Sequence, residues 1–125
     1  MRLLVDSHVL LWHVRDDPRL RPVPTAAIEA EDTQVFVSTA SLWEIAIKST
    51  LGKLEAPDDL PEQVEELGFD LLPVTAEHAW AVRTLPPRRN DPFDRLLVAQ
   101  AQVERLPVVT ADPCFDDYGI EVVWG

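Results

Sequence analysis

Leu3-Leu4-Val5-Asp6 sets three apolar residues directly before an acid, and Val35-Phe36-Val37 repeats the arrangement before Ser38-Thr39. A short unbroken apolar run of this kind reads as a strand buried on both faces that ends in a polar turn. Leu71-Leu72-Pro73-Val74 and Val108-Val109-Thr110 follow the same design, and Ile120-Glu121-Val122-Val123-Trp124 closes the chain, giving five candidate strands. Between them, spacing predicts helices over residues 7–16, 25–31, 40–51, 59–67, 77–84 and 92–105. Strands alternating with helices imply an α/β domain, its sheet mostly parallel and covered on both faces.

The helix boundaries carry chemical signals. Ser38 or Thr39 can cap the third helix and Gly52 can end it. Asp91 before Pro92 places a capping acid ahead of a proline at the first helical position, with Asp94 as the other end of a capping box. No repeat or linker divides the 125 residues, so one domain over 1–125 is expected.

Composition narrows the function classes. A hydrophobic fraction of 46% with 26% charged residues fits a folded globular chain and excludes a disordered one. No apolar run reaches the ~18 to 20 residues of a membrane span, and Asp6 follows Met1 too closely for a signal peptide, so no membrane role and a cytoplasmic location are expected. Cys114 is the only cysteine, so it has no internal disulfide partner and reads as a small apolar group. The net charge of −11 opposes loose binding to a nucleic-acid backbone, which depends on displacing counterions with lysine and arginine. That objection weakens if several acids converge on a divalent cation and Arg83, Arg88, Arg89 and Arg95 form a local basic rim.

Ligands of an open parallel sheet gather beyond the carboxyl ends of its strands, where the strand order reverses. Asp6 follows the first strand and Asp112 lies just past the strand ending at Thr110. Glu44 and Asp94 sit in the first turns of two later helices. Carboxylates about 5 Å apart repel by about 3 kcal/mol per pair at an effective dielectric of ~20, which a domain with ~5 to 15 kcal/mol of stability cannot carry several times over. Protons, Lys48 or Arg95 can offset part of this, but an oxygen-lined cluster suits Mg²⁺ or Mn²⁺ best. Each acid also has a plainer reading: Asp6 as a helix cap, Glu44 as the helical ion-pair partner of Lys48, Asp91 and Asp94 as a capping box, Asp112 as a turn starter. Ala40, Ile47 and Leu51 share the side of the helix on which Glu44 lies, which implies that Glu44 is partly buried. His8 and His78 lack metal-ligand spacing and read as packing or surface residues, and the four tryptophans as core or interface aromatics.

Leu4-Val5-Asp6-Ser7-His8, the segment from Ser38 to Lys48 with its Trp43-Glu44 pair, and Asp91-Pro92-Phe93-Asp94-Arg95 together resemble PIN domains, in particular the VapC-type toxins of toxin–antitoxin pairs. Thr110-Ala111-Asp112, Phe115, Tyr118 and Val123-Trp124 complete the likeness, which spans the whole chain. The resemblance implies a three-layer α/β/α sandwich with strand order 3-2-1-4-5 and a metal-dependent ribonuclease. Asp6, Glu44, Asp94 and Asp112 would be its Mg²⁺ or Mn²⁺ site, orienting water for hydrolysis of an RNA phosphodiester. Ser7 or Thr110 would hydrogen-bond a ligand or water, Asp91 would stand just outside the site, and Arg95 would contact phosphate. It further implies a small antitoxin partner with a basic tail and a homodimer formed through apolar helix surfaces. Arg88-Arg89-Asn90 stands where the family usually has a histidine. Two other readings are open: a PIN-like binding module without chemistry, and a receiver-like phosphoacceptor domain. The latter needs an aspartate after the middle strand and a lysine after the last, where Val74-Thr75 and Trp124-Gly125 supply neither.

Overall fold

The computed structural model describes residues 1–88 and 91–125. In chain order its elements are β1 (Arg2–Val5), α1 (Ser7–Arg15), α2 (Pro22–Glu29), β2 (Gln34–Ser38), α3 (Thr39–Thr50), α4 (Leu60–Glu66), β3 (Asp70–Leu72), α5 (Ala76–Ala81), α6 (Pro92–Glu104), β4 (Val108–Val109) and β5 (Val122–Val123). A 3-10 turn, Val82–Thr84, follows α5 and another, Pro113–Tyr118, joins β4 to β5. The five strands form one sheet in the order β3-β2-β1-β4-β5, and every pairing is parallel. The expected order is therefore realised, with the reversal at the β1–β4 pair.

The alternation of strand side chains explains the two covered faces. Leu3 and Val5 of β1, Val35 and Val37 of β2 and Val109 of β4 join Val9, Leu10, Ile28, Leu60 and Val64 in one apolar cluster. Leu4 and Val108 turn the other way, into a second cluster with Leu97, Val98, Ala101, Phe115 and Tyr118. A strand buried on both faces needs apolar residues at every position, which is why these runs are unbroken rather than alternating.

Local chemistry fixes the element ends. Helix α2 begins three residues earlier than the spacing suggests, at Pro22, because prolines fit the first turn of a helix. Strand β3 stops at Leu72, before Pro73, which has no N–H to give the sheet. Helix α3 ends at Thr50, and just past its cap Leu51 the chain turns at Gly52, whose φ of +71° is the left-handed conformation that glycine adopts without steric cost. Among the described residues, no helix is long and apolar enough to cross a membrane.

Candidate metal centre

Strand β1 delivers Asp6 to the start of α1, where the extended backbone lets its carboxylate cap the helix: Oδ1 accepts from the Val9 N–H at 2.8 Å. Its other oxygen, Oδ2, accepts from the Thr110 hydroxyl at 2.5 Å. Thr110 lies one residue beyond β4, which pairs directly with β1, so the sheet register creates this contact between segments 104 residues apart. Asp6 is buried, and the removal of water raises its pKa despite the two hydrogen bonds that favour the charged form.

Glu44 is 6% exposed on α3. Leu51, on the same side, lies exposed, so α1 and α6 cover Glu44 rather than an apolar stripe along its own helix. The Ser7 hydroxyl donates to its Oε1, and Lys48 Nζ to its Oε2 at 2.6 Å. That ion pair raises the Lys48 pKa. Two polar partners thus satisfy a carboxylate that burial would otherwise destabilise.

Asp91 caps α6, accepting from the Phe93 N–H at 2.7 Å, and Asp94 stands one turn in. Ligand oxygens of Glu44, Asp91 and Asp94 all lie within 4.8 Å of one another. Atoms of Asp94, Asp112 and Cys114 form a second such group, so Asp94 belongs to both. Asp94 is half-buried and its pKa is pushed up to about 7, first by loss of water and then by the charges of Asp91, Glu44, Asp112 and Asp6. Asp112 is exposed and caps the 3-10 turn, accepting from the Cys114 N–H at 2.9 Å, while its own N–H donates to Thr110 at 3.1 Å. Burial, with Asp112 beside it, drives the Cys114 thiol up to about 12, so it is protonated at neutral pH.

The four acids are thus brought to one end of the sheet, and their plainer roles hold at the same time. Asp6, Asp91 and Asp112 each cap a helical turn with Oδ1. Asp6 belongs to neither of the two tight groups, and its charge reaches Asp94 more weakly than those of Asp91, Glu44 and Asp112. Asp91, placed just outside the site by sequence, shares a group with Glu44 and Asp94. Ser7 and Thr110 spend their hydroxyl protons on Glu44 and Asp6. Arg95 donates to the carbonyls of Pro86 and Arg88 at 2.7 and 3.5 Å and to the Tyr118 hydroxyl at 3.3 Å, holding the loop before α6. Arg83 lies over the Trp80 ring at 4.4 Å. Arg88 is exposed and Arg89 lies outside the described residues.

This donor set suits a hard divalent cation. It is rich in carboxylate oxygens, it carries more like charge than one lysine neutralises, and Asp94 holds its proton unusually strongly, as a carboxylate lacking a counter-ion does. Two further polar groups are buried: Gln100, which sequence reasoning missed, and His78, which it read as a packing or surface residue. Neither lies in a recognisable motif; the one available signal was a polar residue at the centre of the apolar run from Leu96 to Ala101.

No curated protein matches the sequence. Among solved structures, the chain is similar to VapBC2 from Rickettsia felis bound to a promoter DNA fragment, with 12% identity over 98% of this chain and 97% of that one and a TM-score of 0.72. VapBC-1 from nontypeable Haemophilus influenzae gives 13% identity over 98% and 96%, with a TM-score of 0.68. DNA-bound VapBC from Salmonella typhimurium gives 16% identity over 98% and 96%, with a TM-score of 0.66. The profile of the PIN domain family matches residues 3–121, so with this sheet order and its acids at the reversal point, the chain belongs to the PIN domain family.

Proposed function

We infer that this chain is a divalent-cation-dependent endoribonuclease and the toxin half of a VapC-type toxin–antitoxin pair. The observation that carries the reading is the convergence of Asp6, Glu44, Asp94 and Asp112 from four remote segments, with Asp94 pushed up to about 7 by burial and then by the neighbouring acids. The VapBC complexes of similar fold support the pairing with an antitoxin.

A bound Mg²⁺ or Mn²⁺ supplies Lewis-acid polarisation of the phosphate and makes water a stronger nucleophile. Asp6, Asp94 and Asp112 would hold the cation directly or through water. Thr110 keeps Asp6 in one rotamer, and Ser7 does the same for Glu44. Glu44 would serve as a further ligand or accept a proton from the attacking water, and Ser7 and Lys48 each hold one of its two oxygens. The acidic cluster suits a basic antitoxin tail, which would compete with the cation. Trp43 on α3 and Trp80 on α5 are exposed apolar groups on helices, of the kind through which a homodimer would form.

The test presents RNA and DNA of one sequence to the purified protein with Mn²⁺, with EDTA, and after Asp6→Asn or Glu44→Gln. Expected are RNA cleavage only with the cation and a loss of about 100-fold or more on either substitution, at unchanged circular dichroism. Cleavage that persists in EDTA and in both variants refutes the assignment.

A further inference from the structure

Gln100 lies on α6, wholly buried, six residues after Asp94; Ser38 caps α3, wholly buried, six residues before Glu44. The Ser38 hydroxyl donates to Gln100 Oε1 at 2.5 Å, while its oxygen accepts from the Ala40 N–H at 3.0 Å. Position 38 meets 100 and position 44 meets 94, so the two helices run in opposite directions across this bond. At ~1.5 Å per residue, the bond sits about 9 Å along the helices from the acids. The Gln100 amide is oriented from its other end by long contacts to the Leu72 carbonyl at 3.5 Å and to His78 Nδ1 at 3.4 Å. His78 is fixed in turn, accepting from the Thr75 N–H at 3.0 Å and meeting Glu104 through Nε2 at 2.7 Å.

We propose that the buried Ser38–Gln100 hydrogen bond is a positioning tie that sets the spacing of Glu44 and Asp94, and so preorganises the cation site. The proposal rests on the metal-centre reading above and adds a device that works on it from a distance. Glu44, Asp91 and Asp94 have oxygens within 4.8 Å of one another, and their repulsion pushes the start of α6 away from α3. Apolar packing at Leu97 and Val98 resists separation of the layers but is non-directional, so it does little against sliding along the helix axis. A hydrogen bond loses strength steeply with distance and angle, and this one joins the cap of one helix to the middle of the other. Sliding of α6 along α3 stretches it and shifts Asp94 relative to Glu44 together. With the tie in place, the acids are held near the cation geometry before binding; without it, binding must also restore that geometry.

The experiment replaces Gln100→Met, which keeps the side-chain length without the polar atoms, and Ser38→Ala, singly and together. Three quantities are measured: Mn²⁺ affinity by titration calorimetry, Tm in EDTA, and kcat at saturating Mn²⁺. Expected is a rise in the Mn²⁺ Kd of about tenfold, no larger in the double variant than in the worse single one, because the two groups act as a unit. The double variant keeps a Tm within a few degrees of the parent and a kcat at saturating Mn²⁺ within about twofold, a split that a purely structural role does not produce. A folded double variant with the parental Kd overturns the tie and leaves the metal reading intact. Should the double variant fail to fold, Ser38→Ala alone decides by the same Kd. If the unaltered protein takes up no Mn²⁺, the metal reading and the tie fall together.

Discussion

Asp94→Asn removes a charge from the centre of the acidic site while keeping the shape of the side chain, and it separates stability from function. The distance from the ordinary carboxylate value of 3.8 to about 7 corresponds to about 4 kcal/mol at ~1.36 kcal/mol per pH unit. Asp94 is only half-buried, so solvent screening reduces that figure to about 2 kcal/mol. Its charge also favours the start of α6 through the helix dipole, which the variant loses at a cost of about 0.3 to 1 kcal/mol. The cost of a charged Asp94, set first by its loss of water and then by the neighbouring acids, wins, and the variant should be more stable by about 1 to 1.5 kcal/mol in EDTA at pH 8, a rise in Tm of roughly 4 to 6 °C. The sign depends on pH in a defined way. An acid whose folded-state pKa is raised keeps its proton in the fold while the unfolded chain has lost it, so stability falls as pH climbs from 3.8 to about 7. The advantage of Asn should therefore be near zero below pH 4, grow through that window and level off above it. Saturating Mn²⁺ reverses the order, since the parent gains ~2.7 kcal/mol at a hundredfold excess over Kd and the variant gains little. Thermal melts from pH 3.5 to 8, with EDTA and with Mn²⁺, check this. A variant no more stable than the parent at pH 8 in EDTA, or stabilised equally by Mn²⁺, refutes the reasoning.

Three other outcomes follow from the same geometry. Lys48→Met removes the cation paired with Glu44, so Mn²⁺ should bind roughly fivefold more tightly by calorimetry, while the cation-free protein loses about 1 kcal/mol in urea melts; weaker Mn²⁺ binding would contradict the arrangement. Protons and Mn²⁺ compete for Asp94, so the apparent Kd should rise at least about tenfold for each pH unit below 7 and flatten above it; a flat titration from pH 5 to 8 is the contrary result. With its thiol pushed up to about 12, Cys114 should react with an aromatic disulfide reagent at least ~100-fold more slowly in the folded protein than in denaturant at pH 7.5, and rates within tenfold would count against that burial.

Strands β1 and β2 were legible in the sequence because a parallel strand covered on both faces has no polar side to interrupt it: Leu3-Leu4-Val5 and Val35-Phe36-Val37 are buried or half-buried throughout, whereas the edge strand β3, expected to share that design, leaves Leu71 exposed. Glu44 and the strand-end aspartates were legible because a parallel sheet fixes where its carboxyl ends lie. The 3-10 turn Pro113–Tyr118 was not, since Asp112, Asp116 and Asp117 give it the composition of a surface loop, although Phe115 and Tyr118, three residues apart, are buried beneath it. The place of Asp91 was read only in part. Its capping role is local and visible, whereas its approach to Glu44 depends on how α3 crosses α6, which no spacing along one helix encodes. Gln100 and His78 were hidden for the same reason, as a buried polar group is tolerated only when partners from other elements meet it.

If the chain is the ribonuclease proposed above, its overall charge constrains how RNA would be held. With Lys and Arg totalling 11 against 22 acids, backbone attraction cannot come from the overall field. The arginines near the site offer less than their number suggests: Arg95 is committed to two loop carbonyls and Tyr118, and Arg83 lies over Trp80. On that reading, the positive charge that meets phosphate would come mainly from the cation, whose two charges would oppose the clustered acids. If the centre depends on a cation, its acidic surroundings would repel RNA whenever that cation is absent, so substrate affinity and the assembly of the site would be one equilibrium. Lys48, paired with Glu44, and the basic tail of the proposed antitoxin would act on that equilibrium from the same side, each supplying a positive charge that the acids accept in place of the metal.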